Sequence, residues 1–235
     1  MLPSRVFCFF NVVSRVVISL FCFLALGFSV PSAQSATVVL QEGVNSVTGT
    51  EAAQFFPGDV NYQDASKLYF RNNYPNALYF PVAANVPAGS TITSATLEVY
   101  VYEEYNTGVK NIQCGYIMDV NNTGVWHDRG SGTEGYGIGA TMASKNTVGP
   151  IYWNNAQNLF TTVMSSMACG QANVQTTGWK SWDTTSVVQG WFNSTYANRG
   201  FWLKEESGAN SNARAAGKYD GTASWRPKLT INYTP

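Results

Sequence analysis

The chain has 235 residues, equal numbers of basic and acidic side chains, and only 12% charged residues, against about 25% in an average soluble protein. A net charge of zero offers nucleic acid no bulk attraction. The surface must instead be built from Asn, Ser, Thr, Gly and Tyr, as in extracellular β proteins that meet neutral polymers or one another.

Arg5 and Arg15 precede an apolar stretch over residues 16–30, which ends in the small residues PSAQSA. This is the pattern of a secretory signal peptide over residues 1–35. The mature chain then starts near Ala36, with a cut at Ala33/Gln34 as the other choice, and no membrane association is expected after cleavage. An uncleaved anchor would need about 20 apolar residues and flanking charge. Residues 36–235 show no internal repeat and no second core, so they predict a single domain with ample length to bury a core. Of the four cysteines, Cys8 and Cys22 leave with the signal. Cys114 and Cys169 remain, and an even pair in an oxidising compartment is expected to form one disulfide, worth about 4 kcal/mol by loop closure. The sole histidine is His127, too little to complete a thiolate metal site.

Residues 36–40 (ATVVL) read as a first strand. In KLYFR, Leu68 and Phe70 share one face while Lys67, Tyr69 and Arg71 share the other, and NALYFPV continues with Leu78, Phe80 and Val82. A turn at Pro87, Ala88 and Gly89 leads into the clearest strand, where Ile92, Leu97, Val99 and Val101 alternate with Glu98, Tyr100 and Tyr102. Residues 112–118 are a further strand carrying Cys114, and the Gly-rich stretch WHDRGSGTEGYGIGA reads as a long surface loop. AQNLFTTVMSSMA places Leu159, Phe160, Val163, Met164 and Met167 on one helical face. In KSWDTTSVVQGWF a strand ends at Asp183. Val187, Val188, Trp191 and Phe192 then follow at helical spacing behind a Thr/Ser cap. GFWLKEE sets Phe201 and Leu203 against Trp202 and Lys204, residues 215–220 supply another strand, and Leu229, Ile231 and Tyr233 alternate along the last. The sum is an all-β antiparallel β-sandwich with one or two short inserted helices.

No catalytic constellation emerges, and the chain is expected not to be an enzyme. His127 and Asp128 are neighbours on an extended segment, where side chains point apart, and no GxSxG elbow occurs. Glu103 and Glu104 are neighbours at a strand end, and Asp119 and Asp183 have no evident partner carboxylate. Asp119, Asn121, Thr123 and Gly124 mimic the first half of a calcium loop, but Gly130 stands where a bidentate Glu should close it. No cofactor is expected, with room left for a lone structural calcium. Sugar binding requires exposed aromatic rings flanked by hydrogen-bonding or charged groups. The outward residues Tyr69, Arg71, Trp202, Lys204 and Lys218 meet that description if their strands are neighbours in one sheet. Trp126, Trp153, Trp191 and Trp225 are assigned to core and corners.

The segments KLYFRN, NALYFPVAANVPAGSTITSATLEVYV, the Trp126/Asp128 pair, IYWNN, WDTTSVVQGWFNSTYANRGFWLK and WRPKLTINY together resemble the DNRLRE domain family. That family groups extracellular β-sandwich modules classed with carbohydrate-binding module family 96. The resemblance spans nearly the whole mature chain and implies a jelly-roll-like module with a polysaccharide partner. Two departures stand out. Ala77, Leu78 and Phe80 replace the family's Arg-Leu or Arg-Phe pair, and Gly217, Lys218, Tyr219 and Asp220 stand where it has Ser-x-Glu. A different expectation is a structural subunit of an extracellular fibre, whose residues 36–40 add to the sheet edge of another copy.

Overall fold

The computed structural model describes residues 34–55, 66–71, 74–104, 111–118, 126, 144–146, 151–152, 164–205 and 213–235. In chain order the strands are β1 (Ala36–Gln41), β2 (Glu51–Gln54), β3 (Lys67–Phe70), β4 (Asn76–Tyr79), β5 (Thr91–Glu104), β6 (Asn111–Tyr116), β7 (Ser144–Asn146), β8 (Ile151–Tyr152), β9 (Gln171–Asn173), β10 (Gly178–Asp183), β11 (Phe201–Glu205), β12 (Ala213–Ala216) and β13 (Lys228–Thr234). Two short helices interrupt them, α1 (Val82–Asn85) and α2 (Thr185–Phe192). Residues 1–33 of the expected signal peptide (1–35), the Gly-rich loop after Trp126 and the calcium-like residues 119–124 lie outside the described residues.

The strands form two antiparallel sheets, with β7 and β8 paired separately. Successive strands from β1 to β6 fall in alternate sheets, as in a jelly roll. The first sheet is organised on β5. Glu98 of β5 pairs with Ser181 of β10 and Lys228 of β13, and Val101 pairs with Gly178 of β10 and Ala215 of β12. β10 therefore occupies one side of β5, while β12 and β13 lie end to end along the other, separated by an excursion over residues 217–227. β3 and β1 continue this arrangement beyond β12 and β13. The second sheet runs β2-β4-β11-β6-β9.

Alternation places the core. Leu68, Phe70, Leu97, Val99, Val101, Leu229 and Ile231 come from the first sheet, and Leu78, Ile112, Cys114, Phe201 and Leu203 from the second. Each such side chain contributes roughly 1.5–3 kcal/mol on burial. Trp182 is also buried, and its indole N–H donates to the Ile112 carbonyl at 3.0 Å, joining the two sheets. Helix α2 closes one end with Val187, Val188 and Trp191. It also satisfies strand backbone, because the N–H groups of Ile92 and Ala95 donate to Gln189 Oε1 and Thr185 Oγ1, both at 3.0 Å. Its N-terminus is held by Asp183, which accepts from the Thr185 N–H at 2.9 Å, rather than by the expected Thr/Ser cap.

Several expectations are corrected. Val82 begins helix α1 instead of extending β4. Residues expected to continue a strand to Asp220 instead turn after Ala216, where the Asp220 N–H donates to the Gly217 carbonyl. Met164 makes an isolated bridge to Ile117, and residues 165–170 are irregular, so Met164 and Met167 are not on a helix; residues 156–163 of that expected helix lie outside the described residues. The expected first strand over residues 36–40 is present as β1, an edge strand paired with β13.

A second cluster lies on the outer side of the second sheet: Ala53, Phe55, Ala77, Ile117, Trp126 and Trp202. Trp202 is opposite Gly115 in the β11–β6 register, and a Cβ on Gly115 would stand 2.5 Å from its indole. This glycine is there for close approach, not for an unusual backbone angle. Gly115→Ala should therefore lower the unfolding free energy by about 1–3 kcal/mol in urea titration. Unchanged stability would mean that the indole is not seated on β6.

Candidate functional site

The five residues expected to share a ligand face are divided between the two sheets. Tyr69 is half-buried on the outer side of the first sheet, with the guanidinium carbons of Arg214 and Arg71 at 5.1 and 5.8 Å from its ring centre. Trp202 points outward from the second sheet but is only 3% exposed, and its indole N–H donates to Ser165 Oγ at 3.3 Å. Lys204 alternates with Phe201 and Leu203 and so belongs to the Trp202 side. Lys218 is buried in the turn after β12 and paired with Glu51 at 3.2 Å. The expectation that β3 and β11 were neighbours fails because the chain changes sheets at nearly every connection. Tyr69 and Arg71 remain together; Trp202, Lys204 and Lys218 do not join them.

A different aromatic group occupies the outer side of the first sheet. Tyr100 of β5 stands opposite Trp179 of β10, with ring centres 5.4 Å apart in an edge-to-face contact. Trp225 stacks on the same phenol at 4.7 Å and 17°. Trp179 and Trp225 are 36% and 37% exposed, whereas Trp126, Trp182, Trp191 and Trp202 are buried. Lys228 of β13 places its ammonium 4.1 Å from the Trp179 ring centre and 3.2 Å from Glu98. Farther along β5, Glu103 pairs with Arg214 at 2.8 Å, beside Tyr69. Tyr69 and Arg71 thus adjoin one end of a strip whose centre is Trp179, Tyr100 and Trp225.

Local sequence explains each position. Trp179 and Trp182 are three residues apart on one strand, an odd spacing that sends one ring outward and the other into the core. Trp225 arrives by the excursion between β12 and β13, in a 3₁₀ turn over Ala223–Trp225. Arg226 fixes that excursion: its Nε donates to the Asp220 carbonyl at 2.9 Å and its Nη1 to the Glu42 carbonyl at 3.0 Å. Gln41 Nε2 donates to the Arg226 carbonyl at 2.7 Å. Gly43, at φ +71°, leaves space that a Cβ would take from the guanidinium. Trp225, expected in the core or at a corner, is instead a surface platform.

Two of the carboxylates weighed as catalytic candidates are engaged structurally. Hydrogen bonds from Thr185 hold the Asp183 carboxyl below its usual range. Glu103 is tied to Arg214, while Asp119, His127 and Asp128 lie outside the described residues. Among the described residues, no three His, Cys, Asp or Glu side chains gather as a metal site, and no helix is long and apolar enough to cross a membrane. Cys114 and Cys169 are buried free thiols, not the expected disulfide. They are neighbours nonetheless: the Cys169 N–H donates to the Cys114 carbonyl at 3.0 Å. Burial, then hydrogen bonding to Cys169, pushes the Cys114 thiol well above its ordinary pKa, so it is no nucleophile at neutral pH. Expressed without residues 1–35, which carry Cys8 and Cys22, the reduced and denatured protein should take up two alkyl groups from iodoacetamide. Refolded from the denatured state, where both thiols are exposed, in a glutathione redox pair, it should stay monomeric and take up none, whereas covalent dimers would contradict the juxtaposition.

Tyr102, the next outward residue on β5 after Tyr100, has its hydroxyl buried with no hydrogen-bond partner among the described residues. Burial pushes its pKa up to about 12, with Tyr69 adding to the rise and Arg214 opposing it. The unfolded chain releases this proton near pH 10, so the group's stabilising contribution is intact below about pH 10 and is lost as pH rises towards 12. Tyr102→Phe should therefore flatten alkaline destabilisation in this window; an unaltered profile would contradict the burial.

No family model and no curated protein matches the chain. Among solved structures, it has a likeness to the crystal structure of the catalytic domain of Humicola grisea Cel12A in complex with a soaked thio cellotetraose. The likeness has 10% identity and a TM-score of 0.15, over 84% of this chain and 91% of that one. At that score it carries no argument.

Proposed function

We propose that the chain is a secreted, non-catalytic β-sandwich module that binds polysaccharide on the outer face of its first sheet, through Trp179, Tyr100 and Trp225. The observation that carries this reading is the exposure of two tryptophans against one tyrosine, while the four other described tryptophans are buried. An indole at a third exposed gives up burial energy that a stacked sugar ring would restore. The resemblance to the DNRLRE family supports a carbohydrate partner, and the signal-like first 35 residues support export. Affinity resides on this face, which Tyr69 and Arg71 adjoin, and not on Trp202, Lys204 or Lys218.

Aromatic contacts of this kind contribute about 0.5–1.5 kcal/mol each beyond area burial, and association itself costs several kcal/mol. A short strip therefore gives weak binding, with a dissociation constant on the order of 0.1–1 mM per site. In native gels cast with soluble polysaccharides, the wild type should be retarded by at least one polymer. Trp179→Ala and Trp225→Ala should each remove most of that retardation while lowering stability by about 1–3 kcal/mol through the lost ring contacts, with the fold retained in circular dichroism. Retardation equal to wild type in both variants would reject this face as the site.

A further inference from the structure

Two cations of the proposed face are already paired. Lys228 is held between Glu98 at 3.2 Å and the Trp179 ring at 4.1 Å, and Arg214 between Glu103 at 2.8 Å and the Tyr69 ring at 5.1 Å. A polyanion would have to displace these carboxylates and would then lie against Glu98 and Glu103 themselves. Exposed ion pairs contribute little, about 0–1 kcal/mol each, but a ligand carboxylate beside Glu98 meets repulsion that an uncharged sugar does not. A neutral ligand leaves both pairs in place.

The rings define the rest of the ligand. Trp179 and Trp225 both touch Tyr100, so the platform is only one or two sugar rings long. Pyranoses with equatorial hydroxyls present axial C–H bonds on both faces, which suit flat aromatic surfaces, while their hydroxyls radiate towards flanking acceptors. Glu98 and Glu103 supply acceptors beside the rings.

We infer that this face takes a neutral polysaccharide of pyranoses with equatorial hydroxyls, and discriminates against polyuronates and sulfated polymers through the ion pairs Lys228–Glu98 and Arg214–Glu103. The inference rests on the proposal that the outer face of the first sheet is the binding site.

The test is a fluorescence titration of the wild-type chain and the Trp179→Ala/Trp225→Ala double variant with mixed-linkage β-glucan and with polygalacturonate. Both titrations are repeated at about 0.1 M and about 1 M NaCl, between which the screening length falls from ~10 Å to ~3 Å. The expected result is β-glucan binding that changes less than about twofold with salt, no polygalacturonate binding, and loss of both signal and binding in the double variant, the binding loss confirmed by calorimetry. Polygalacturonate binding that weakens steeply with salt and disappears in the double variant would overturn the ligand class while leaving the site intact. Binding of either polymer that survives in the double variant, or no binding at all, would overturn the site and this inference with it.

Discussion

Period-two alternation along β5 is the constraint from which both the core and the exposed face follow. Leu97, Val99 and Val101 are fully buried between the sheets, and Glu98, Tyr100 and Tyr102 consequently point the other way. A one-residue slip would drive two tyrosines and a carboxylate into the core, an exchange costing several kcal/mol, so the register is strongly fixed. The strands on either side inherit it: Trp179 is aligned with Tyr100, and Lys228 with Glu98. Nearer its start β5 changes phase. The register with β13 shifts between Asn232 and Tyr233, so that Ile92 and Ala95, three residues apart, both face inward.

The outer faces of the two sheets are treated differently. On the second sheet, Trp202 lies against Gly115 within a small apolar cluster that includes Trp126 and Phe55. On the first sheet, aromatic rings share the surface with ion pairs and retain substantial exposure. The break between β12 and β13 completes that surface. Where the chain leaves the sheet, Arg226 bonds to the carbonyls of Asp220 and Glu42, and the short 3₁₀ turn lays Trp225 on Tyr100. Gln41 and Gly43, at the end of β1, participate in this anchoring, so the platform depends on residues far apart in sequence.

Much of the fold was legible because local patterns encode it. The inward residues of β5, β11 and β13 and the apolar side of α2 follow directly from spacings of two and of three to four. Which strands share a sheet is not a local property. Tyr69 and Trp202 were grouped because each alternates with core residues, yet one outward face belongs to the first sheet and the other to the second. Trp179 could have been found, since its odd separation from the buried Trp182 forces it outward. Trp225 could not, because its exposure results from an excursion held by Arg226 against residues 41–43. Lys218 resembled a free surface cation, and only its long-range pairing with Glu51 takes it out of the ligand face.

The central claim is that Trp179 and Trp225, rather than any of the buried tryptophans, meet the ligand. Indole N–H resonances in a two-dimensional nitrogen–proton spectrum report each tryptophan separately, after assignment by single Trp→Phe variants. Titration with a soluble neutral β-glucan oligosaccharide should move the Trp179 and Trp225 signals progressively and leave those of Trp126, Trp182, Trp191 and Trp202 in place. Shifts confined to Trp202 or Trp126, or none at Trp179 and Trp225 at saturating sugar, would contradict the account.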